Sequence, residues 1–487
     1  MMQLFPGLLD LITTFTGTVM TGGLLSLFTL FIVVAFILPF IPNRFVAVSR
    51  IISVLTMGIG IYIVLFLPQT TSSLLTSLFV YDDFSKFFLI LFLTIGILIG
   101  IATTNTQKSL FFSLLLFATF GMAIVVSTED LLVLFIGWEI MSVASYGMAT
   151  LRGTKKCCEA AGKYFLYGAF ASAITLYSLS LIFVHVGSTN LVNIKNYLMS
   201  TPQPDLVGVL VTIYFIVGFG YKMGIVPFHM WIPDAYEGVA SNISALLAGD
   251  TKKAGVAALL RVLFVLIIPP SIVNWSLMLA LLATATMIVG NVIALYQNSI
   301  KRMFAYSSIA QIGYILVGFS SMNLIGITGV ILHSLTHALM VTAAFTTVLI
   351  FKRVISSDLI SDYAGLGRKY PIVTLALAIN LFSLAGVPPL AGFVSKFILF
   401  TSAIEANMVW LAILGVLNSA FSVGYYLRVI KVMYLDEPQN TSNNDEKEAL
   451  DKWQLTTLFI ATALVVLIGI FPQYFISLAQ TAASSII

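Results

Sequence analysis

The sequence predicts an all-α polytopic membrane protein of about fourteen transmembrane helices, with paired broken helices. Three observations carry that prediction. First, 59% of the 487 residues are hydrophobic and only 9% are charged, where a soluble domain has roughly 25% charged. The mean hydropathy is +1.03. A soluble chain has too little interior to hide that much apolar surface, so lipid must be the main solvent. Second, apolar runs of bilayer length recur along the whole chain. Third, the basic residues gather in every second loop.

The apolar runs fall near 22–41, 47–67, 84–103, 109–127, 130–150, 160–185, 206–230, 242–268, 275–297, 302–322, 325–351, 370–402, 407–434 and 454–478. Each is about the 20 residues needed to cross the hydrocarbon. Residues 4–20 extend the first span or lie at the interface. The opening MMQLFPGLLD lacks the basic start of a cleavable signal, so the first span is expected to act as its own insertion signal.

Loops after the odd-numbered spans hold Arg44 and Arg50, Lys108, Arg152, Lys155 and Lys156, Lys301 and Arg302, Lys352 and Arg353, Arg368 and Lys369, and Arg428, Lys431, Lys447 and Lys452. The opposite side has only Lys86, beside Asp82 and Asp83, and Lys195. The positive-inside rule puts the basic loops in the cytoplasm and both termini outside. The one long polar stretch, DEPQNTSNNDEKEALDK, lacks apolar periodicity and reads as a cytoplasmic loop over 436–453.

Spans 7 and 12 are punctuated by proline. One reads GFGYKMGIVPFHMWIPDAYEG over 218–238, the other NLFSLAGVPPLAGFVSKFILF over 380–400. A proline kink alone explains either. Paired breaks, each close to a lysine, point further, to an inverted repeat with an ion site near the midplane.

Ionisable groups at bilayer depth are costly and usually functional. Here they form a series: Glu139 in span 5, Lys163 near Glu159 in span 6, Lys222 before the break in span 7 and His229 after it. Lys252 and Lys253 follow in span 8, His333 and His337 in span 11, and Lys396 after the break in span 12. A lysine taken out of water loses affinity for its proton, and a nearby carboxylate restores it. A site balanced between the two gains or loses a proton when its neighbour moves. Arginine would stay charged, so lysine suits the role. Glu139 is expected to be the carboxylate that sets Lys222, with Lys222, Lys252 or Lys253, His337 and Lys396 forming a water-linked relay.

Competing readings attach to each group. Glu139 and Lys222 would also suit a static ion pair, Lys396 a snorkelling lysine, and Lys163 with Glu159 an interfacial pair. Asp250 is expected to pair with whichever of Lys252 and Lys253 does not face inward. Arg261 reads as structural, and His333 as a hydrogen-bonded core histidine. A membrane haem would need histidines on facing helices, and no second such pair is visible. Cys157 and Cys158 are adjacent, which suits neither a disulfide nor a metal framework. No nucleotide-binding or hydrolase motif stands out. The dispersed basic residues mark topology and give no nucleic-acid patch.

The segments GWEIMSVASYGMATLRG, EAAGKYFLYGAFASAITLYSLSLIF, YKMGIVPFHMWIPDAYEG, SIKRMFAYSSIAQIGYILVG and SLAGVPPLAGFVSKFILF stand in order over roughly 105–435. Together they resemble the antiporter-like subunits of respiratory complex I, subunit N above all. The resemblance implies fourteen helices with two inverted five-helix repeats, helices 4–8 and 9–13. The chain then divides into 1–105 (helices 1–3), 106–270 (first repeat), 271–435 (second repeat), the 436–453 loop and 454–487 (helix 14). It implies that Glu139, Lys222, Lys252 and Lys396 carry the proton relay, supported by Lys163, Glu159, His229 and His337. Counting back from Arg261, Lys252 matches the helix-8 lysine better than Lys253.

The same resemblance implies a proton-translocating subunit of a quinone or methanophenazine oxidoreductase, in the plasma membrane of a prokaryote rather than an organelle's inner membrane. This chain would hold no cofactor. Flavin, iron–sulfur clusters and a quinone-type acceptor would belong to other subunits. Its partners would be M-like, K-, J-, A- and H-like membrane subunits and a redox peripheral arm. Three features favour N over the L and M types. The chain stops soon after span 14, the EAAGKYFLYGAFAS block is closest to N, and Val341 stands where L and M types often have lysine. Two features depart from N. GDTKK at 249–253 has an acidic neighbour, and Gly-Trp-Glu around Glu139 leans towards L, M and Mrp types. An Mrp-type sodium/proton antiporter subunit is the alternative, with a charge-inert scaffold and a solute permease behind it.

Overall fold

The computed structural model describes residues 23–66, 78–103, 108–201, 205–267, 273–437 and 448–486. The expected interfacial segment 4–20, the MMQLFPGLLD start and most of the polar loop, Lys447 included, lie outside them.

Every predicted span coincides with a helix or a broken pair. In chain order the helices are α1 Leu24–Ile37, α2 Val46–Phe66, α3 Asp83–Ala102, α4 Ser109–Val126, α5 Leu131–Thr150 and α6 Lys155–Val186. Then come α7 Leu191–Ser200, α8 Leu206–Met223, α9 Trp231–Gly238, α10 Ser241–Leu246, α11 Lys252–Ile267, α12 Trp275–Leu295 and α13 Ile300–Ser321. The rest are α14 Leu324–Ile355, α15 Leu366–Lys369, α16 Pro371–Ala385, α17 Ala391–Glu405, α18 Val409–Tyr434, α19 Lys452–Ile470 and α20 Pro472–Ser484. Among the described residues, eleven helices are long and apolar enough to cross a membrane.

Side chains at the loop ends start the helices. Asp82 accepts from the Ser85 amide, Asp130 from the Leu132 and Val133 amides, and Asp205 from the Val207 and Gly208 amides. Each satisfies donors that the first turn leaves without a partner. Asp82 also receives both terminal nitrogens of Arg261 at 2.7 and 2.8 Å, and Arg261 donates to the Val126 carbonyl at 2.8 Å. That bond ties α3, α4 and α11 together and bears out the structural reading of Arg261. Burial alone would raise the Asp82 carboxyl, but the Arg261 guanidinium outweighs it and holds it below its ordinary value.

The interior helices are α11, α13 and α14, whose sides are buried nearly all round. α14 packs against α13, α16, α17, α19 and α10. Its 32 residues make a rod of about 48 Å. Outer helices such as α2, α6 and α18 bury one side and leave Leu, Ile and Phe on the other, as lipid allows.

Among the described residues four of the expected spans are interrupted, one of them, 454–478, at Phe471 between α19 and α20. α8 stops at Met223 and the chain resumes as α9 at Trp231. The run expected as one span over 370–402 is two helices, α16 and α17, split at Gly386. Between α10 and α11 lies a π-helical turn, Leu247–Thr251. At both proline breaks a glycine caps the helix in the left-handed region, Gly224 at φ 86° and Gly386 at φ 87°. The two caps bond alike. The Gly224 amide donates to the Gly220 and Tyr221 carbonyls, and the Gly386 amide to Phe382 and Ser383. Each break also contains one cis X-Pro bond, Val226–Pro227 and Pro388–Pro389. Only glycine takes this backbone shape cheaply.

Candidate functional site: buried lysines at the helix breaks

Lys222, in the last turn of α8, is completely buried. Its ammonium donates to the Tyr164 phenol oxygen at 2.7 Å and to Ser142 Oγ at 3.2 Å. It also lies 4.9 and 5.2 Å from the ring centres of Tyr164 and Tyr146. Glu139, one turn before Ser142 on α5, is half-buried and accepts from Ser172 Oγ at 2.5 Å. Glu139 and Lys222 form no ion pair, which removes the static-pair reading. Ser142 and Tyr164, not the carboxylate, touch the ammonium.

Lys252 opens α11 directly after the π turn. Its ammonium donates to Ser308 Oγ on α13 at 2.8 Å and lies 5.5 Å from the Tyr236 ring centre. A Cβ added at Gly224 would sit 3.5 Å from it, so the glycine cap and the lysine of different helices share one spot. Lys253 is equally buried and its ammonium has no hydrogen-bond partner. The expectation that one of the two would face away, paired with Asp250, is corrected. Both are inside, and both oxygens of Asp250 are buried without a partner. The helix they open is buried nearly all round, so neither lysine has an outward side to face.

Lys396, on α17 after the second break, is 2% exposed. It donates to the Leu384 carbonyl at 2.7 Å and to Ser419 Oγ at 3.0 Å, over the Tyr314 ring at 4.4 Å. It does not snorkel. A Cβ at Gly386 would sit 3.6 Å from its ammonium, repeating the Gly224–Lys252 approach. The Leu384 carbonyl also accepts from Gln311 Nε2 at 3.1 Å, and Gln311 Oε1 lies 3.1 Å from His333 Nε2. His333 Nδ1 meets Ser395 Oγ at 2.9 Å. His337, stacked 6.1 Å from His333, is buried with Nδ1 free of a hydrogen bond. His229, in the first break, is 5% exposed and its Nδ1 is also without one.

Lys163 and Glu159 stand apart from this interior. Their side chains are 43% and 64% exposed and 2.9 Å apart, so the interfacial reading describes them better than burial at bilayer depth. Lys163 also bonds Asp234 on α9 at 3.0 Å, and Arg302 on α13 bridges Asp234 and Glu237 at 2.9 Å each.

Lys222, Lys252, Lys253 and Lys396 thus share one property. Each is at most 2% exposed, and none lies within 4.0 Å of a carboxylate among the described residues. Hydroxyls, a carbonyl and aromatic faces hold Lys222, Lys252 and Lys396, while the Lys253 ammonium has no hydrogen-bond partner among the described residues. Such an arrangement accommodates an amine in either protonation state, which a tight ion pair would not. Among the described residues no group of three or more His, Cys, Asp or Glu could hold a metal ion. Sequence reasoning missed Tyr164, Ser308, Gln311 and Tyr314. Their signal is polar residues inside apolar spans, but only packing shows which of them meet a lysine.

Fold and site together define an all-helical, multi-pass membrane protein of the antiporter-like type. The family model described as NADH:quinone oxidoreductase/Mrp antiporter, TM matches residues 128–422. The chain is 39% identical over 418 residues to F(420)H(2) dehydrogenase subunit N of Methanosarcina mazei, covering 82% of this chain and 84% of that one. It is 40% identical over 432 residues to NADH-quinone oxidoreductase subunit N of Trichlorobacter lovleyi, covering 86% and 87%. Respiratory complex I from Thermus thermophilus contains a chain that superposes with a TM-score of 0.78 at 29% identity, covering 94% of this chain and 99% of that one. The chain therefore belongs to the NADH:quinone oxidoreductase/Mrp antiporter family, and within it is an antiporter-like subunit of the N type.

Proposed function

We propose that this chain is a proton-translocating membrane-arm subunit of a complex-I-like oxidoreductase, passing protons along Glu139, Lys222, Lys252 and Lys396. The observation that carries it is the set of buried ammonium groups with no carboxylate within 4.0 Å among the described residues, two of them packed against the glycines that cap the helix breaks. A conformational or electrostatic change driven by redox chemistry in other subunits alters which hydroxyl or carbonyl each amine faces, and so its charge state. Like charges on neighbouring sites then repel one proton outward, and the emptied site reloads from the cytoplasm.

In this reading the chain crosses the plasma membrane of a prokaryote fourteen times with both termini outside. The stretches 106–270 and 271–435 are inverted five-helix repeats. The matching bonding of the Gly224 and Gly386 caps supports that pairing. Lys163, Glu159, His229 and His337 support the relay. Flavin, iron–sulfur clusters and the quinone or methanophenazine site belong to partner subunits, and M-like and smaller membrane subunits flank this one. The F(420)H(2) dehydrogenase and NADH-quinone oxidoreductase relatives support a redox partner.

The test is Lys222→Met in the assembled complex in vesicles, with protons moved per electron pair as the readout. The yield should fall while assembly persists. An unchanged yield would refute the proposal. The Mrp-type alternative draws on the Gly137-Trp138-Glu139 sequence and on the family description, which covers both kinds. Purification without any redox subunit, with sodium-dependent proton exchange, would favour it.

A further inference from the structure

Helix α9 stands between two of the lysine sites and is continuous with neither neighbouring helix. Its inward side chains belong to those sites. Trp231 stacks on Tyr164 with ring centres 4.5 Å apart and donates through Nε1 to the Tyr221 carbonyl at 2.9 Å. Tyr164 is the phenol that receives Lys222. Tyr236, on the same helix, presents its ring to Lys252. The outward side chains of α9 are ionic. Asp234 joins Lys163 and Arg302, and Glu237 joins Lys156 and Arg302 at 2.9 Å each.

The other ends of these ion pairs matter as much. Lys156 and Lys163 are on α6, the helix that carries Tyr164. Arg302 is on α13, the helix that carries Ser308, the acceptor for Lys252. The ion chain therefore triangulates α6, α9 and α13, three of the four helices whose hydroxyls and rings contact the two ammonium groups, the fourth being α5 with Ser142 and Tyr146. Hydrogen bonds weaken steeply with distance and angle, so a small shift of α9 changes both lysine environments at once.

We propose that Asp234 and Arg302 are positioning residues that, through α9, set Tyr164 against Lys222 and Tyr236 against Lys252 together, coupling proton exchange at the two lysines. This rests on the lysine reading above. A rigid rod fastened by charges at its surface and by aromatic rings inside transmits displacement between the two sites without itself carrying a proton.

The experiment uses the assembled complex in vesicles and compares Asp234→Asn, Asp234→Glu and Lys222→Met by protons moved per electron pair. Asp234→Asn should lose most of the yield with electron transfer retained, and Asp234→Glu should restore it. A parental yield in Asp234→Asn beside a lowered yield in Lys222→Met overturns this inference alone. A parental yield in Lys222→Met overturns the lysine reading itself. Loss in Asp234→Asn without rescue by Asp234→Glu also overturns the inference, because the site would tolerate no change of any kind. If Asp234→Asn does not assemble, Arg302→Lys is read the same way, since an ammonium keeps the charge but not the planar fork that bridges both acids.

Discussion

Lys396 and Gln311 share one acceptor, the carbonyl oxygen of Leu384, at 2.7 and 3.1 Å. That carbonyl is free because α16 ends at Ala385, one residue later, and a helix leaves its last carbonyls without intrahelical donors. The break thus creates the acceptor that holds the lysine and joins it, through Gln311, to His333.

Gln311→Leu should cut that link. It leaves His333 Nε2 buried without its partner, which destabilises by roughly 1–3 kcal/mol. The proton yield should fall while Lys396 keeps its bonds to Leu384 and Ser419. Proton yield and thermal melting of the purified complex, measured on the same preparation, check both expectations.

Tyr164→Phe removes the shorter of the two hydrogen bonds to Lys222 and keeps the stacking with Trp231. Hydrogen bonds to charged groups contribute roughly 1.5–3 kcal/mol, about ten-fold or more in a rate that depends on them. Turnover of proton pumping should drop accordingly. An unchanged rate would mean that Ser142 alone suffices.

Gly386→Ala forces an L side chain into φ 87° and sets its Cβ 3.2 Å from Lys396 Cδ. The backbone term is roughly 1–2 kcal/mol. The crowding should displace Lys396 from Leu384. Reduced melting temperature together with reduced proton yield is expected. Gly162→Ala, at a position with open space around the added carbon, should change neither.

Asp82→Asn leaves the buried Arg261 charge without its partner and should cost about 3–5 kcal/mol. The wild-type pair also gives a pH signature. Arg261 holds the Asp82 carboxyl below its ordinary value, so its stabilisation is complete above the unfolded value of roughly 4 and is lost as pH falls through the lowered folded value. Melting temperatures of wild type and Asp82→Asn should converge on acidification. Parallel curves would exclude this origin.

Much of the site was visible as isolated residues. Lys222, Lys252 and Lys396 stand out because charge inside an apolar run has no cheap explanation. Their partners did not stand out. A serine or tyrosine is common in a span, and nothing marks Tyr164 or Ser308 until helices 56 or more positions away in sequence are packed together. Nor was it visible that Ser142 and Tyr164, rather than Glu139, touch the Lys222 ammonium. Periodicity says which side of a helix a residue occupies, but not which group on the next helix meets it. The pairing of Asp250 with an outward lysine failed because α11 is buried nearly all round, which periodicity on one helix does not show.

By itself the sequence determined that this chain lives in lipid, where its spans run, which loops are basic and where two helices must break. Those follow from hydrophobic burial and from proline and glycine backbone limits, which act within a short stretch of chain. The tertiary structure decided that the lysines stand without carboxylates among the described residues, that Gly224 lies against Lys252 and Gly386 against Lys396, and that one ion chain fastens α9 to α6 and α13. These depend on distances between side chains far apart in sequence, and electrostatics and hydrogen bonding are settled at that range.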